Sequence, residues 1–238
     1  GGAADAFSCG LHAVGVSVTN ALSTRLEVQV WRQGEIHQID FADGNVLKAL
    51  YIAGSAPKRK TGTRVRAWPD PTYFDSAQIP LAELKHVLRS KAVLLSGTTV
   101  TLINEKTNEQ LQWCYENGLA GYLQEALADQ ELYLPLFQGA QFALEDDENY
   151  ALGEGAEWGV AWTLEGNVMR ESFVNLIATP AGGTHEAGLR DGLYQAVKNF
   201  AELHSLLPKG LRLLPEDVFA RVSFVLSAKI LDPQFQGQ

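Results

Sequence analysis

Ser8-Cys9-Gly10-Leu11-His12-Ala13-Val14-Gly15-Val16-Ser17-Val18-Thr19-Asn20-Ala21-Leu22-Ser23 sets glycines immediately ahead of a run with apolar helical spacing. Glycine adopts φ > 0 without strain and lets the backbone approach a ligand closely. A helix that opens after such a loop leaves its first N–H groups unpaired, and these, with the positive end of the dipole, hold phosphate. The bare Gly-x-x-x-x-Gly pattern also fits an ordinary glycine-rich helix start. Both readings stay open on these residues alone.

Downstream, Leu26–Trp31 and Glu35–Phe41 alternate apolar and polar residues around Arg32-Gln33-Gly34, which predicts a hairpin with one buried face. Thr63–Trp68 predicts a further strand, closed by Pro69. Pro80–Leu95 places Leu81, Leu84, Val87, Leu88, Lys91 and Leu95 at helical spacing behind a first-turn proline. Thr98–Ile103 and Leu111–Tyr115 predict a second hairpin. Beyond Gly118, Leu119–Leu127 reads as a helix, Trp158–Leu164 and Glu171–Ile177 as paired strands, Gly188–Leu206 as a long amphipathic helix, and Val222–Ile230 as a strand. Gln138–Gly155, acidic and glycine-containing, reads as a long loop. Strands and helices in this order indicate α+β architecture in two units, 1–117 and 118–238.

A length of 238 residues accommodates two ordinary domains, and 46% hydrophobic with 20% charged residues argues against a disordered chain. No apolar stretch reaches the roughly 18 to 20 residues of a membrane span. The net charge of -9 argues by itself against a surface for nucleic acid. That charge is localised, however: residues 107–169 hold twelve acids and no Lys or Arg, which leaves +3 for the remainder. Cys9 and Cys114 form no metal-type or disulfide pattern, so a reducing compartment is expected. The opening Gly-Gly-Ala-Ala-Asp has no signal-peptide pattern, and both ends read as cuts through a longer protein.

Gly10 to Ser23 resembles the ATP-lid motif of the type IIA topoisomerase ATPase subunits, the gyrase B and topoisomerase IV B family. The resemblance continues through Lys60-Thr61-Gly62-Thr63 with Trp68-Pro69-Asp70, then Gly182-Gly183-Thr184-His185 with Gly188-Leu189-Arg190, and Asp232-Pro233-Gln234-Phe235-Gln236-Gly237-Gln238. These segments run in the family's order across essentially the whole chain. Tyr73-Phe74-Asp75-Ser76 and Trp113-Cys114-Tyr115 look more like the topoisomerase IV branch than the gyrase branch.

The resemblance implies a partial GHKL-type (gyrase/Hsp90-like) ATPase α/β sandwich over 1–117 and a transducer domain of ribosomal-protein-like α+β fold over 118–238. It implies that the lid residues Gly10, Leu11, His12, Ala13, Val14 and Gly15 bind the ATP phosphates. It further implies that Thr63 lines the adenine pocket, that Arg32 sits at the mouth where aminocoumarin-type inhibitors bind, and that Gln238 senses the γ-phosphate. ATP and Mg2+ are the implied cofactors, although the magnesium-binding asparagine and the glutamate base of the family are not in this chain. Implied partners are duplex DNA, a second B subunit in an ATP-dependent homodimer, and the A subunit of topoisomerase IV, in the bacterial cytoplasm at the nucleoid and with no membrane. The implied activity of the parent is ATP-driven strand passage, with decatenation and relaxation during chromosome segregation; the chain alone is expected not to hydrolyse ATP. Alternatives are the B subunit of gyrase, or a non-catalytic nucleotide- or drug-binding scaffold of the same fold. One departure is specific: the family's glycine in the lid is Ala13 here, and if that position is left-handed an alanine costs about 1–2 kcal/mol relative to glycine, which argues against tight nucleotide binding.

Other residues carry competing readings. Cys9 with His12 has the types of a thiol nucleophile and base but no evident third group. Thr184-His185-Glu186 holds a metal-capable pair, yet neighbours on a helix face different directions, and a helix cap at Thr184 is the simpler expectation. Arg190 is either a solvated helix charge or, by the resemblance, a residue facing a DNA cavity. Lys58, Arg59, Lys60, Arg64 and Arg66 read as solvated surface or a weak DNA contact. Trp31, Trp68, Trp113, Trp158 and Trp162 read as core or interface.

Overall fold

In the computed structural model, which describes residues 15–76 and 78–236, the run after the glycines forms α1 (Gly15–Ala21). It leads into β1 (Ser23–Arg32) and β2 (Glu35–Ala42), the expected hairpin. Gln33 (φ 53°) and Gly34 (φ 82°) form its turn, and two successive positive φ values match the right-handed twist of the flanking strands. The same device recurs at Asp43 (φ 50°) and Gly44 (φ 81°), which start β3 (Asn45–Ser55). The sequence reading did not identify β3. Its pairing with β2 shifts register three times, which erases the alternation that marks a strand, and Asp43-Gly44 was the remaining signal. β4 (Gly62–Pro69) completes an antiparallel sheet in the order β3-β2-β1-β4.

The described chain divides into two compact units, 15–81 and 82–236. This division falls ahead of the 117/118 boundary read from sequence. The reason is packing: Val93 and Leu94 of α2 (Leu81–Leu94) share a core with Leu119, Tyr122 and Leu123 of α3 (Gly118–Ala126). Between these helices lies the expected hairpin, β5 (Val100–Asn104) with β6 (Glu109–Trp113).

The second unit is built on a five-stranded sheet of β7 (Phe137–Phe142), β8 (Gly155–Trp162), β9 (Arg170–Val174), β10 (Ile177–Ala178) and β11 (Val222–Lys229), in the order β10-β9-β11-β8-β7. The helices α4 (Thr184–Leu203) and α5 (Pro215–Phe219) fall between β10 and β11 in sequence. β8 and β9 are therefore not partners, contrary to the sequence reading. β11 lies between them, antiparallel to β8 and parallel to β9. A parallel pair needs a long crossover, here the segment containing α4, and local pattern carries no trace of such a pairing. The expected long loop is also partly wrong, since Phe137–Phe142 is a strand; its glycine and exposed polar residues suit a sheet edge and hid it. Gly155 ends that loop at φ 158°, and a Cβ there would lie 2.1 Å from the Gln141 carbonyl oxygen, so only glycine admits this β7–β8 approach.

Alternation on β11 divides the core in two. Val222, Phe224 and Leu226 pack with Leu193, Val218 and Phe219 of α4 and α5. Val225 packs with Phe173, Ala161 and the α2–α3 cluster. Each such buried side chain contributes about 1.5–3 kcal/mol of transfer free energy. Among the described residues no helix is long and apolar enough to cross a membrane.

Candidate functional site

In the 15–81 unit, the register Val30↔Thr63, Val28↔Val65 and Leu26↔Ala67 places these residues on one face of the sheet. Strand alternation puts Arg32 on that same face, one step along β1 from Val30. The two expected pocket residues, Thr63 and Arg32, thus project from neighbouring strands to one side. α1 packs against β1 and β4, and Leu26 is buried, whereas Val65, Val46 and Ile52 are exposed. The face is apolar at its centre, with a hydroxyl and a guanidinium at one end.

The opposite face is polar and internally satisfied. Gln29 Nε2 donates to Gln38 Oε1 (2.8 Å), Gln38 Nε2 to Asp40 Oδ1 (2.7 Å), and the Tyr51 hydroxyl to Asp40 Oδ2 (2.9 Å). The Gln38 amide holds the Asp40 carboxyl below its ordinary value, against the opposing effect of burial. Burial, with Asp40 next, pushes the Tyr51 hydroxyl up. Arg66, together with Arg25 from outside the patch, lies over the Trp68 ring and Lys60 over Trp31, so two of the five patch cations rest on aromatic surface. Lys58, Arg59, Lys60, Arg64 and Arg66 are all exposed.

Of the expected lid residues, Gly15 is the first residue of α1. Gly10, Leu11, His12, Ala13, Val14 and the sensor Gln238 lie outside the described residues, as does Cys9. Arg190 belongs to α4, where its guanidinium pairs with Glu216 of α5 and lies over the Phe219 ring. Trp158 and Trp162 pack at the edge of the α4–α5 core.

The start of α4 differs from expectation. The cap is Gly183 rather than Thr184, with no side-chain capping bond. His185 and Glu186 are not directed apart: both reach Ser172 on β9, at 3.0 and 2.7 Å. Thr179 joins them, 2.7 Å from Ser172 Oγ and 2.8 Å from His185 Nε2. A hydroxyl has one proton, and Ser172 donates its own to the Glu186 carboxylate rather than to the ring. The four side chains thus tie the start of α4 to β9. Burial lowers the His185 pKa below 6.5, with Glu186 opposing.

Under α4 lies an apolar cavity of about 840 Å³ lined by Trp158, Leu189, Leu193 and Leu226, where Gly188 and Gly192 supply no side chain. Among the described residues no group of three or more His, Cys, Asp or Glu could hold a metal ion.

The α+β architecture, with an antiparallel four-stranded sheet in one unit and a mixed five-stranded sheet in the other, is that of the GHKL-type ATPase subunits whose solved structures it resembles. The DNA gyrase B family model matches residues 118–238, half of the chain, and the chain belongs to that family. The B subunit of DNA topoisomerase 4 from Pseudomonas aeruginosa is 47% identical over 235 residues, covering 98% of this chain and 36% of the relative. The chain thus spans about a third of the length of the curated relatives it matches. Two solved structures are similar. The topoisomerase IV ATP-binding domain of Francisella tularensis, in complex with a small-molecule inhibitor, aligns with TM-score 0.75 at 38% identity, over 97% of this chain and 61% of that one. The 43K ATPase domain of Thermus thermophilus gyrase B, in complex with an aminocoumarin, aligns with TM-score 0.79 at 27% identity, over 98% and 62%.

Proposed function

We propose that the chain is the nucleotide-responsive region of a topoisomerase IV B subunit, with residues 1–117 forming part of its ATPase domain and 118–238 its transducer. The observation that carries this reading is the similarity of nearly the whole chain to the B subunits of DNA topoisomerase 4. In this reading the parent protein couples ATP to duplex passage, decatenation and relaxation. It would work with duplex DNA, a second B subunit, and the A subunit of topoisomerase IV, in the bacterial cytoplasm at the nucleoid.

The residues fit one wall of a nucleotide site. The exposed apolar face around Val65 suits an aromatic base, the Thr63 hydroxyl offers a donor and acceptor beside it, and Arg32 offers a cation at the rim. An aminocoumarin would be received at Arg32, the position the family resemblance implies; the similar gyrase B ATPase domain was solved with an aminocoumarin bound. Backbone N–H groups of Gly10, Leu11, His12, Ala13, Val14 and Gly15 would hold phosphate oxygens, and Gln238 would report the γ-phosphate. Bound ATP with Mg2+ supplies the transferable phosphoryl group and its charge neutralisation. The resemblance matches no residue of this chain to the general base or the magnesium ligand, so the chain alone is expected not to position water for attack. Arg190, held by Glu216, would face transported DNA only after leaving that ion pair.

Calorimetry of the chain with a non-hydrolysable ATP analogue, beside a steady-state phosphate-release assay, tests the proposal. Expected are saturable binding weakened at least tenfold by Thr63→Val with Arg32→Ala together, and no phosphate release above a protein-free control. Binding that ignores the double variant would exclude this face as the nucleotide wall, and sustained release would refute the missing-base argument. Mixing the complete B subunit with its A partner should give ATP-dependent decatenation; ATP-driven supercoiling instead would place it with gyrase.

A further inference from the structure

β11 loses both ladder neighbours at its end: its last pairs are Ala228↔Val174 with β9 and Lys229↔Gly155 with β8. The next two residues, Ile230 and Leu231, precede the segment 232–238, and their backbone groups are taken over by side chains from distant loops. Asn175, 1% exposed, donates from Nδ2 to the Ile230 carbonyl (2.8 Å) and accepts from the Ile230 N–H at Oδ1 (2.9 Å). Its amide thus stands in for one more peptide of the missing strand. Glu154 accepts from Leu231 N–H at Oε1 (2.7 Å) and from Ala151 N–H at Oε2 (2.8 Å), joining the β7–β8 loop to the same point.

The turn that presents Asn175 is itself held. Asn175 (φ 49°) and Leu176 (φ 68°) are both left-handed, and a left-handed leucine persists only where its surroundings fix it. Two contacts do so. The Leu176 side chain packs against the α2–α3 core, and the Lys91 ammonium of α2 donates to the Leu176 carbonyl. Lys91 is half-buried with no ion pair among the described residues, and burial lowers its pKa. A desolvated ammonium with a carbonyl partner is a directional tie, because moving the carbonyl would strand the charge.

We infer that Asn175 and Glu154 are positioning residues that set the base of the 232–238 segment, and that Lys91 links that base to α2 through the Asn175–Leu176 turn. This rests on the proposed role of Gln238 as γ-phosphate sensor only for its purpose; the linkage itself needs no nucleotide. Motion of the sensor segment would be resisted at Ile230 and Leu231 and passed to α2 and the β7–β8 loop.

Amide hydrogen exchange on the full chain tests it, with the Val225 amide at the centre of β11 as reference for global opening. Asn175→Gly removes both bonds to Ile230 while keeping the positive φ free of strain, and should speed exchange at Ile230 and Leu231 about tenfold or more relative to Val225. Glu154→Ala should do so at Leu231. The discriminating variant is Lys91→Met, which touches neither residue and should still speed both several-fold relative to Val225. If Lys91→Met alters exchange in α2 alone, the link to α2 is overturned; if Val225 speeds equally in every variant, the residues are merely structural. Failure of the chain to bind nucleotide would sink the sensor reading and leave this exchange pattern intact.

Discussion

His185 shows how a single residue serves structure in a place where its type suggests chemistry. Its ring nitrogen is committed to Ser172 and Thr179, and burial holds its pKa below 6.5. Between the folded value and 6.5 the unfolded chain binds more protons than the folded one, so stability rises with pH across that window. It is lost as pH falls from 6.5 toward the folded value. An NMR titration should therefore find His185 titrating below 6.5, with a lower urea midpoint at pH 5 than at pH 7. His185→Gln should flatten the part of that dependence that belongs to this ring; an unchanged slope would remove His185 as its source. Sequence alone exposed the Thr184-His185-Glu186 triplet but not its partner. Ser172 and Thr179 reach it through a strand and a turn, and no spacing rule links those positions.

At the scale of elements, what could be read depended on how local the determinants were. The β1–β2 hairpin and α2 announced themselves through alternation, a Gln-Gly turn and a first-turn proline. β3 and β7 did not, because bulges in one and an exposed edge position in the other blur the period of two. The helix α4 was legible in its apolar spacing, and its expected cap, Thr184, lies one residue after Gly183, which caps it. Thr63 and Arg32 were named through resemblance, and only the register shows that they share a face. α4 also contains Gly192, where an added Cβ would meet nothing within 4 Å. Glycine in a helix interior costs roughly 0.5–1 kcal/mol relative to alanine. Gly192→Ala should raise the unfolding free energy by about that amount in urea titration, and a loss of stability would show that the open backbone at the cavity is itself required.

At the scale of the whole molecule, buried apolar residues are divided very unequally. Among the described residues of 15–81, Leu26 is the one buried hydrophobic side chain, while both core clusters lie within 82–236. Residues 82–238 expressed alone should unfold cooperatively, whereas residues 1–81 alone should lack a cooperative transition and bind a hydrophobic dye. Cooperative unfolding of 1–81 by itself would contradict the open face described around Val65. The sequence supported two units and read the second as starting near Gly118, whereas the structure divides where α2 joins its core.

The position of β11 also has a consequence in time. It is the last strand of the described chain and the middle strand of its sheet, bonded on one side to β8 and on the other to β9. During synthesis, the β8–β7 and β9–β10 pairs must wait as separate halves, each presenting an open edge, until residues 222–229 arrive to join them. Folding of this unit is thus governed by its final strand, and a ribosome stalled before Val222 would hold a chain whose two half-sheets are exposed to pairing with other strands.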